Sequence, residues 1–170
     1  MSTNAKIASQ SRGDRYDAVV RIGEAFAASR EPEALAKTLA NELEEFLYFD
    51  HLYIAVLKEN SKEVEYRVQG KGDVALPDLP MEELPIWEAI ASPHPVRVID
   101  WLGEQRSPRF KEWVKQMRFG SGISVPVSSH RRLGTLEIAR DKWEPFSHED
   151  IFFLRVIAHV VGKSLRSWPL

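Results

Sequence analysis

The sequence predicts an α+β fold with a central antiparallel sheet, on three observations. Apolar residues recur at three- and four-residue spacing at both ends of the chain, as amphipathic helices require. Between those ends the pattern shortens to that of strands in five stretches. Polar turns join four of those strands in pairs, 51–57 to 63–69 and 123–127 to 133–139, and a hairpin makes its two strands antiparallel.

Residues 1–13 are small and polar without periodicity and are expected to be a disordered tail, leaving 14–167 as one domain. Asp14 to Ser29 is helical, with Val19, Ile22 and Phe26 on one side. Glu31-Pro32 opens a second helix, proline being tolerated in a first turn, and Leu35, Leu39, Leu43 and Phe46 form its stripe. His51 to Leu57 is apolar on both faces and so is covered on both. In Glu63 to Gln69, Val64, Tyr66 and Val68 are expected to point inward. A loop follows from Gly70 to Pro80. Then come a short helix over 82–91 that Pro85 interrupts or delays, and a short strand over 96–99. After a second loop, 108–117 is helical, and the hairpin 123–139 leads to the last helix. Ser147 is its N-cap, and Glu149 and Asp150 suit the positive end of its dipole.

That last helix carries two apolar stripes. Ile151, Leu154, Ala158, Val161 and Leu165 make one, and Phe153, Ile157, Val160 and Ser164 the other. One stripe covers the sheet. The second needs another helix, from the same chain or from a second copy.

The chain has 170 residues, enough for one domain with a sizeable core. Its net charge of −2 provides no general attraction to nucleic acid or to an acidic membrane. It has no cysteine, which removes disulfides, thiolate metal sites, cysteine nucleophiles and thioether cofactor attachment together, and fits a cytoplasmic location. No apolar run approaches the roughly 20 residues of a membrane span.

The stretch Gly120–Ala158, GSGISVPVSSHRRLGTLEIARDKWEPFSHEDIFFLRVIA, carries a family resemblance. A "SVPV" strand, an "LGTLEIA" strand and a "PFSHED" helix start followed by "FL" and "IA" resemble, in order and spacing, the C-terminal half of a GAF domain. The similarity extends upstream to about Asp14. Within that family the chain looks most like the N-terminal sensory domains of sigma-54-dependent activators of the formate hydrogenlyase activator type.

The resemblance implies a profilin-like antiparallel sheet of five to six strands, with the terminal helices on one face and loops and short helices on the other. It implies a regulatory domain that binds a small molecule and signals through its terminal helices. It also implies a parent transcriptional activator with ATPase and DNA-binding parts, a sensor kinase or cyclase being the other possible parents; the double stripe of the last helix adds the expectation of a homodimer through the first and last helices. In this family the segment corresponding to 84–124 encloses the ligand, so Arg97, Trp101, Phe110, Trp113, Met117, Phe119, Ser121 and Ser124 are the expected lining. The same aromatics could instead fill that space as a second small core. The asparagine–lysine–phenylalanine–aspartate–glutamate pattern of cyclic-nucleotide-binding GAF domains is not visible.

Other chemistry finds little support. No two histidines share an i, i+4 spacing, so no metal site is expected. His94 could ligate a haem iron, as single histidines do in some GAF proteins, but prolines flank it and a turn is the simpler reading; no cofactor is expected. His148 reads as solvated, and His159, among apolar residues of the last helix, as a core or interface residue. Asp50-His51 and Ser147-His148 lack the G-x-S-x-G elbow of a hydrolase. Gly120-Ser121-Gly122 lacks the ending of a phosphate loop and reads as a flexible lead into a strand. Arg131-Arg132 with Lys115 and Arg118 is a small basic cluster, not a nucleic-acid patch. One GAF branch, a methionine sulfoxide reductase, depends on cysteines. The chain is therefore expected not to be an enzyme. The alternatives are a ligand-free dimerisation module and a small enzyme using loop carboxylates and histidines.

Overall fold

The computed structural model describes residues 3–58, 61, 63–75, 77, 79–91, 97–104, 106–129, 132–165 and 168. Helices α1 (Thr3–Ala28) and α2 (Pro32–Leu43) lead into the hairpin β1 (His51–Leu57) and β2 (Val64–Lys71). A turn of 3-10 helix at Met81–Glu83, α3 (Pro85–Ala91), β3 (Arg97–Asp100) and α4 (Pro108–Met117) form the middle of the chain. The hairpin β4 (Ser121–Ser129) and β5 (Arg132–Arg140) and helix α5 (His148–Ser164) complete it. The described strands form one five-stranded sheet in the order β2-β1-β5-β4-β3, every neighbouring pair antiparallel. β5 sits at the centre.

The sheet separates two cores. On one face Leu52, Ile54, Val56, Val68, Ile123, Val125, Val127, Leu136 and Ile138 meet α1, α2 and α5. On the other Tyr53, Ala55, Leu57 and Ala139 meet the middle segment and its aromatics. Strand alternation produces this division directly, because odd and even positions of β4 and β5 point to opposite faces. The terminal-helices-on-one-face arrangement is thus the one the sequence predicts.

Three expectations need correction, and one left open is resolved. Helix α1 starts at Thr3, well before Asp14, so residues 3–13 continue a helix and are not a tail. No proline interrupts Thr3–Ala28, and extending a formed helix fixes one residue per added hydrogen bond, without a new nucleus. Val64 belongs to the middle-segment core while Val68 faces the helices. A register shift pairs Leu57 with Val64 but Val56 with Tyr66, so an extra residue at Glu65 breaks the alternation. Both stripes of α5 are covered within the chain: Phe153, Leu154, Ile157, Ala158 and Val161 are buried together with Ala18, Ile22 and Phe26 of α1. The second stripe therefore finds its helix partner intramolecularly. His159, finally, is exposed.

The helix ends follow their local chemistry. Ser147 Oγ accepts from Asp150 N at 3.0 Å and Ser107 Oγ from Phe110 N at 3.3 Å, two N-caps with a side-chain acceptor. α4 stops at Arg118, whose φ of 60° is left-handed and turns the chain into β4. Arg15 of α1 pairs with Asp150 at 2.8 Å, and its guanidinium lies 5.0 Å from the Phe153 ring centre, which pins α1 to the start of α5.

Candidate functional site

Among the described residues, the middle-segment face carries a buried acid and the helix face does not. Glu137 points from central strand β5 into this core and is 3% exposed. Sheet register sets its neighbours: Tyr53 of β1 lies opposite on one side and Ser124 of β4 on the other. Ser124 Oγ donates to Glu137 Oε1 at 2.5 Å. Burial pushes the Glu137 carboxyl up to about 8, and the Ser124 and Thr135 hydroxyls only partly offset it, so at neutral pH the group holds its proton. Burial likewise drives the Tyr53 hydroxyl well above its ordinary range, with Glu137 adding to the effect. Thr135, two residues along β5 on the same face, is 1% exposed, yet its Oγ1 makes no well-formed hydrogen bond.

Above this floor stand the aromatics expected from the sequence. Trp101 stacks on Phe110 at 5.9 Å between ring centres and meets Trp113 edge-on at 5.7 Å; Phe119 lies 5.0 Å from Trp101. The four are buried and touch one another, forming a continuous cover over the sheet. The indole Nε1 of Trp101 is buried and unpartnered, and a Cβ placed on Gly122 would lie 2.5 Å from it. Gly122 is therefore an interior position of β4 that admits the indole, not a flexible lead into the strand. Trp113 Nε1 donates to Ala75 O at 2.7 Å, tying α4 to the loop after β2. Arg106 binds Glu104 at 3.1 Å and Glu88 of α3 at 2.5 Å, fastening the loop before α4.

The eight expected lining residues divide. Trp101, Phe110, Trp113, Phe119 and Ser124 come together on this face, with Met117 packed at its edge. Trp113 and Met117 also line an outer cleft of about 350 Å³ with Ala75, Pro77, Leu79 and Arg109. Ser121 lies on the opposite face, where its Oγ bonds Glu144 O at 2.9 Å and accepts from Glu144 N; an odd offset from Ser124 makes this unavoidable. Arg97 heads β3 and pairs in register with Ser124, and its side chain lies outside the described atoms, as do His94, His130 and Arg131. Sequence reasoning missed Tyr53, Thr135 and Glu137. The available signal was a glutamate inside "LGTLEIA", a strand whose neighbours are apolar. Among the described residues no cluster of histidines, aspartates and glutamates is arranged to hold a metal, and no helix is long and apolar enough to cross a membrane. Two further clefts lie elsewhere, one of about 430 Å³ where α2 meets β1 and one of about 540 Å³ between α1 and α5.

The GAF domain family model matches residues 31–165. The chain belongs to the GAF family. GAF domains are sensory and regulatory signalling modules, and solved structures with this fold span several settings. The GAF domain of a two-component sensor histidine kinase from Bacillus halodurans shares 18% identity at a TM-score of 0.65, over 81% of this chain and 95% of that one. The free methionine-R-sulfoxide reductase from Neisseria meningitidis, solved with its substrate, shares 16% at 0.68, over 90% and 89%. An N-acylhomoserine lactone-dependent LuxR-family transcription factor from Burkholderia cenocepacia shares 16% at 0.64, over 91% and 94%. At these identities the likeness is one of fold. No curated protein matches the sequence.

The reductases overturn the expectation that this architecture excludes an enzyme, for a second one, from Staphylococcus aureus, also shares the fold at 14% identity. Lack of cysteine removes thiol chemistry alone. A buried carboxyl that keeps its proton at neutral pH is chemistry the sequence argument did not weigh.

Proposed function

We propose that this GAF domain senses a small molecule bound on the middle-segment face of the sheet, between Glu137 and its aromatic cover. The observation that carries the reading is Glu137 itself. A carboxyl buried in a central strand, with one short hydrogen bond from Ser124 and no described cation against it, is costly to the fold and characteristic of a recognition site. The cover is built from loops and short helices held by side-chain ties, the kind of element that opens locally at less cost than a core strand.

Strand β4 offers the route outward. Ser124 faces the site, while Ile123, Val125 and Val127 face α5, and a Cβ on Gly162 would lie 2.6 Å from Ser128 O, so α5 and β4 touch backbone to backbone. A ligand that moves β4 by a fraction of an ångström must shift α5, and a preference of about 1–3 kcal/mol between two helix packings would transmit the signal. The proposed partner is a second copy docked on the α1–α5 face. Tyr16 and Phe152 are 69% and 68% exposed there, beside a cleft lined by Val19 and Val156. The motif order around Gly120–Ala158 favours a sigma-54 activator as the parent protein, in the cytoplasm.

Native mass spectrometry of protein purified without denaturation tests the reading. A retained small molecule whose removal raises hydrogen exchange in β4 and α5 supports it. A bound molecule whose removal leaves exchange there unchanged refutes the signalling route.

A further inference from the structure

Register places one residue from each strand in a single row across the site: Gln69, Tyr53, Glu137, Ser124 and Arg97. Its centre is Tyr53, Glu137 and Ser124, all at least 97% buried. Beside that centre Trp101 Nε1 is buried without a hydrogen-bond partner, and Thr135 Oγ1 has no well-formed one. Buried polar groups are usually paired, so these two leave hydrogen-bonding capacity on this face that a ligand could use.

We propose that Glu137 recognises a small organic cation, with a primary ammonium or guanidinium head, that lies against Tyr53 beneath Trp101. This rests on the ligand-site reading above and specifies its chemistry. The carboxylate supplies the charge-assisted hydrogen bond, the lone pairs of Ser124 and Thr135 accept the remaining N–H groups, and the aromatic faces suit a cation. Trp101 Nε1 donates to an acceptor further along the ligand. An anion would leave the Glu137 proton in place, so the two charge classes differ in whether binding releases a proton. Arg67, a described cation on this face, lies 5.6 Å from the Tyr53 ring centre and donates to Val74 O.

Charge balance fixes a signature. The free site holds the Glu137 proton at neutral pH; the cation binds the carboxylate, and that proton leaves to solvent. Binding therefore tightens with rising pH, by about tenfold per pH unit below about 8, and levels off above it. The groups facing Glu137 are Tyr53 of β1, Ser124 of β4 and Thr135 of β5, with Arg67 of β2 over Tyr53 and Arg97 of β3 next in the row. His51 lies on the same face two residues from Tyr53, bonded to Asp141 at 3.0 Å, and it remains in any Glu137 variant.

The test titrates the whole chain with propylammonium, methylguanidinium, propionate and propanol at pH 6, 7 and 8. The readouts are the Trp101 indole NMR signal and calorimetry in two buffers of different ionisation enthalpy. Preferential binding of the two cations, release of about one proton per cation at pH 6 to 7, and loss of the pH slope in Glu137→Gln support the proposal. Ser124→Ala keeps the carboxyl and should keep the slope at weaker affinity. Equal cation binding by Glu137→Gln overturns it. Binding of propionate or propanol on this face without the cations overturns the cation proposal and leaves the ligand site standing. If no probe of any class perturbs Trp101, both readings fall.

Discussion

Glu137→Gln should stabilise the protein at neutral pH, and by an amount that grows with pH. The side chains are nearly isosteric, and the glutamine oxygen still accepts from Ser124 Oγ. What changes is ionisation. In the folded protein the carboxyl titrates near 8, against an ordinary value of 4.5. The folded value is the higher one, so the unfolded chain releases this proton first. Below about pH 4.5 both states are protonated and the residue costs nothing; above it each pH unit removes about 1.4 kcal/mol of stability until the folded group ionises near pH 8. At pH 7 the cost is about 3 kcal/mol, which glutamine abolishes. For a protein of this size that corresponds to a melting-temperature difference of about 6–12 °C. Urea unfolding followed by tryptophan fluorescence at pH 5, 7 and 8 measures it. The variant should be more stable by a margin that widens steadily from pH 5 to pH 8. A margin independent of pH would refute the reasoning, because it would mean that Glu137 ionises alike in both states.

Three other substitutions probe separate parts of the account. Gly122→Ala should displace the Trp101 indole, changing near-ultraviolet circular dichroism and costing about 1–3 kcal/mol; an unchanged spectrum would show that the close approach at Nε1 does not matter. Val161→Glu should cost at least about 4 kcal/mol in urea unfolding, since this residue is fully buried between α5 and the sheet and its charge would have no partner. A stable, well-folded variant would contradict that packing. Phe152→Glu should shift sedimentation from dimer to monomer and leave unfolding unchanged at concentrations where both proteins are monomeric. A wild-type protein that sediments as a monomer at high concentration would remove the proposed second copy.

The fold was legible because each element announces itself locally. β1 is apolar on both faces and so had to be covered on both, and Pro32, Pro108 and Ser147 mark helix starts that the structure reproduces. The errors arose where context outweighs pattern. Residues 3–13 lack periodicity yet continue α1, because helix propagation requires no apolar face. The bulge at Glu65 moves Val64 to the other face without leaving a mark in the alternation. Both stripes of α5 were visible, but which helix covers the second is a tertiary fact, and α1 supplies it.

The aromatic cover was legible and the polar floor was not, for a physical reason. Large aromatics such as Trp101 and Phe119 stand out in any sequence, so the cover was found. The floor was not, because a glutamate at an alternating position reads as solvent-facing unless both faces of the strand are known to be covered. β1 was inferred to be covered on both faces; applying the same inference to its neighbour β5 would have placed Glu137 in a core. Ser121 and Ser124 were grouped by proximity in sequence, and three residues along a strand is an odd offset, so they part.

A ligand bound between Glu137 and the aromatic cover is expected to be felt in α5. Amide and indole chemical-shift mapping of the whole chain against a small-molecule library tests this most directly. The first hit should perturb Trp101 Nε1, Ser124 and Glu137, and the effect should continue through 125–128 into 157–162 of α5. Shifts confined to the α1–α5 surface or to the α2–β1 cleft, with Ser124 and Trp101 unmoved, would contradict it.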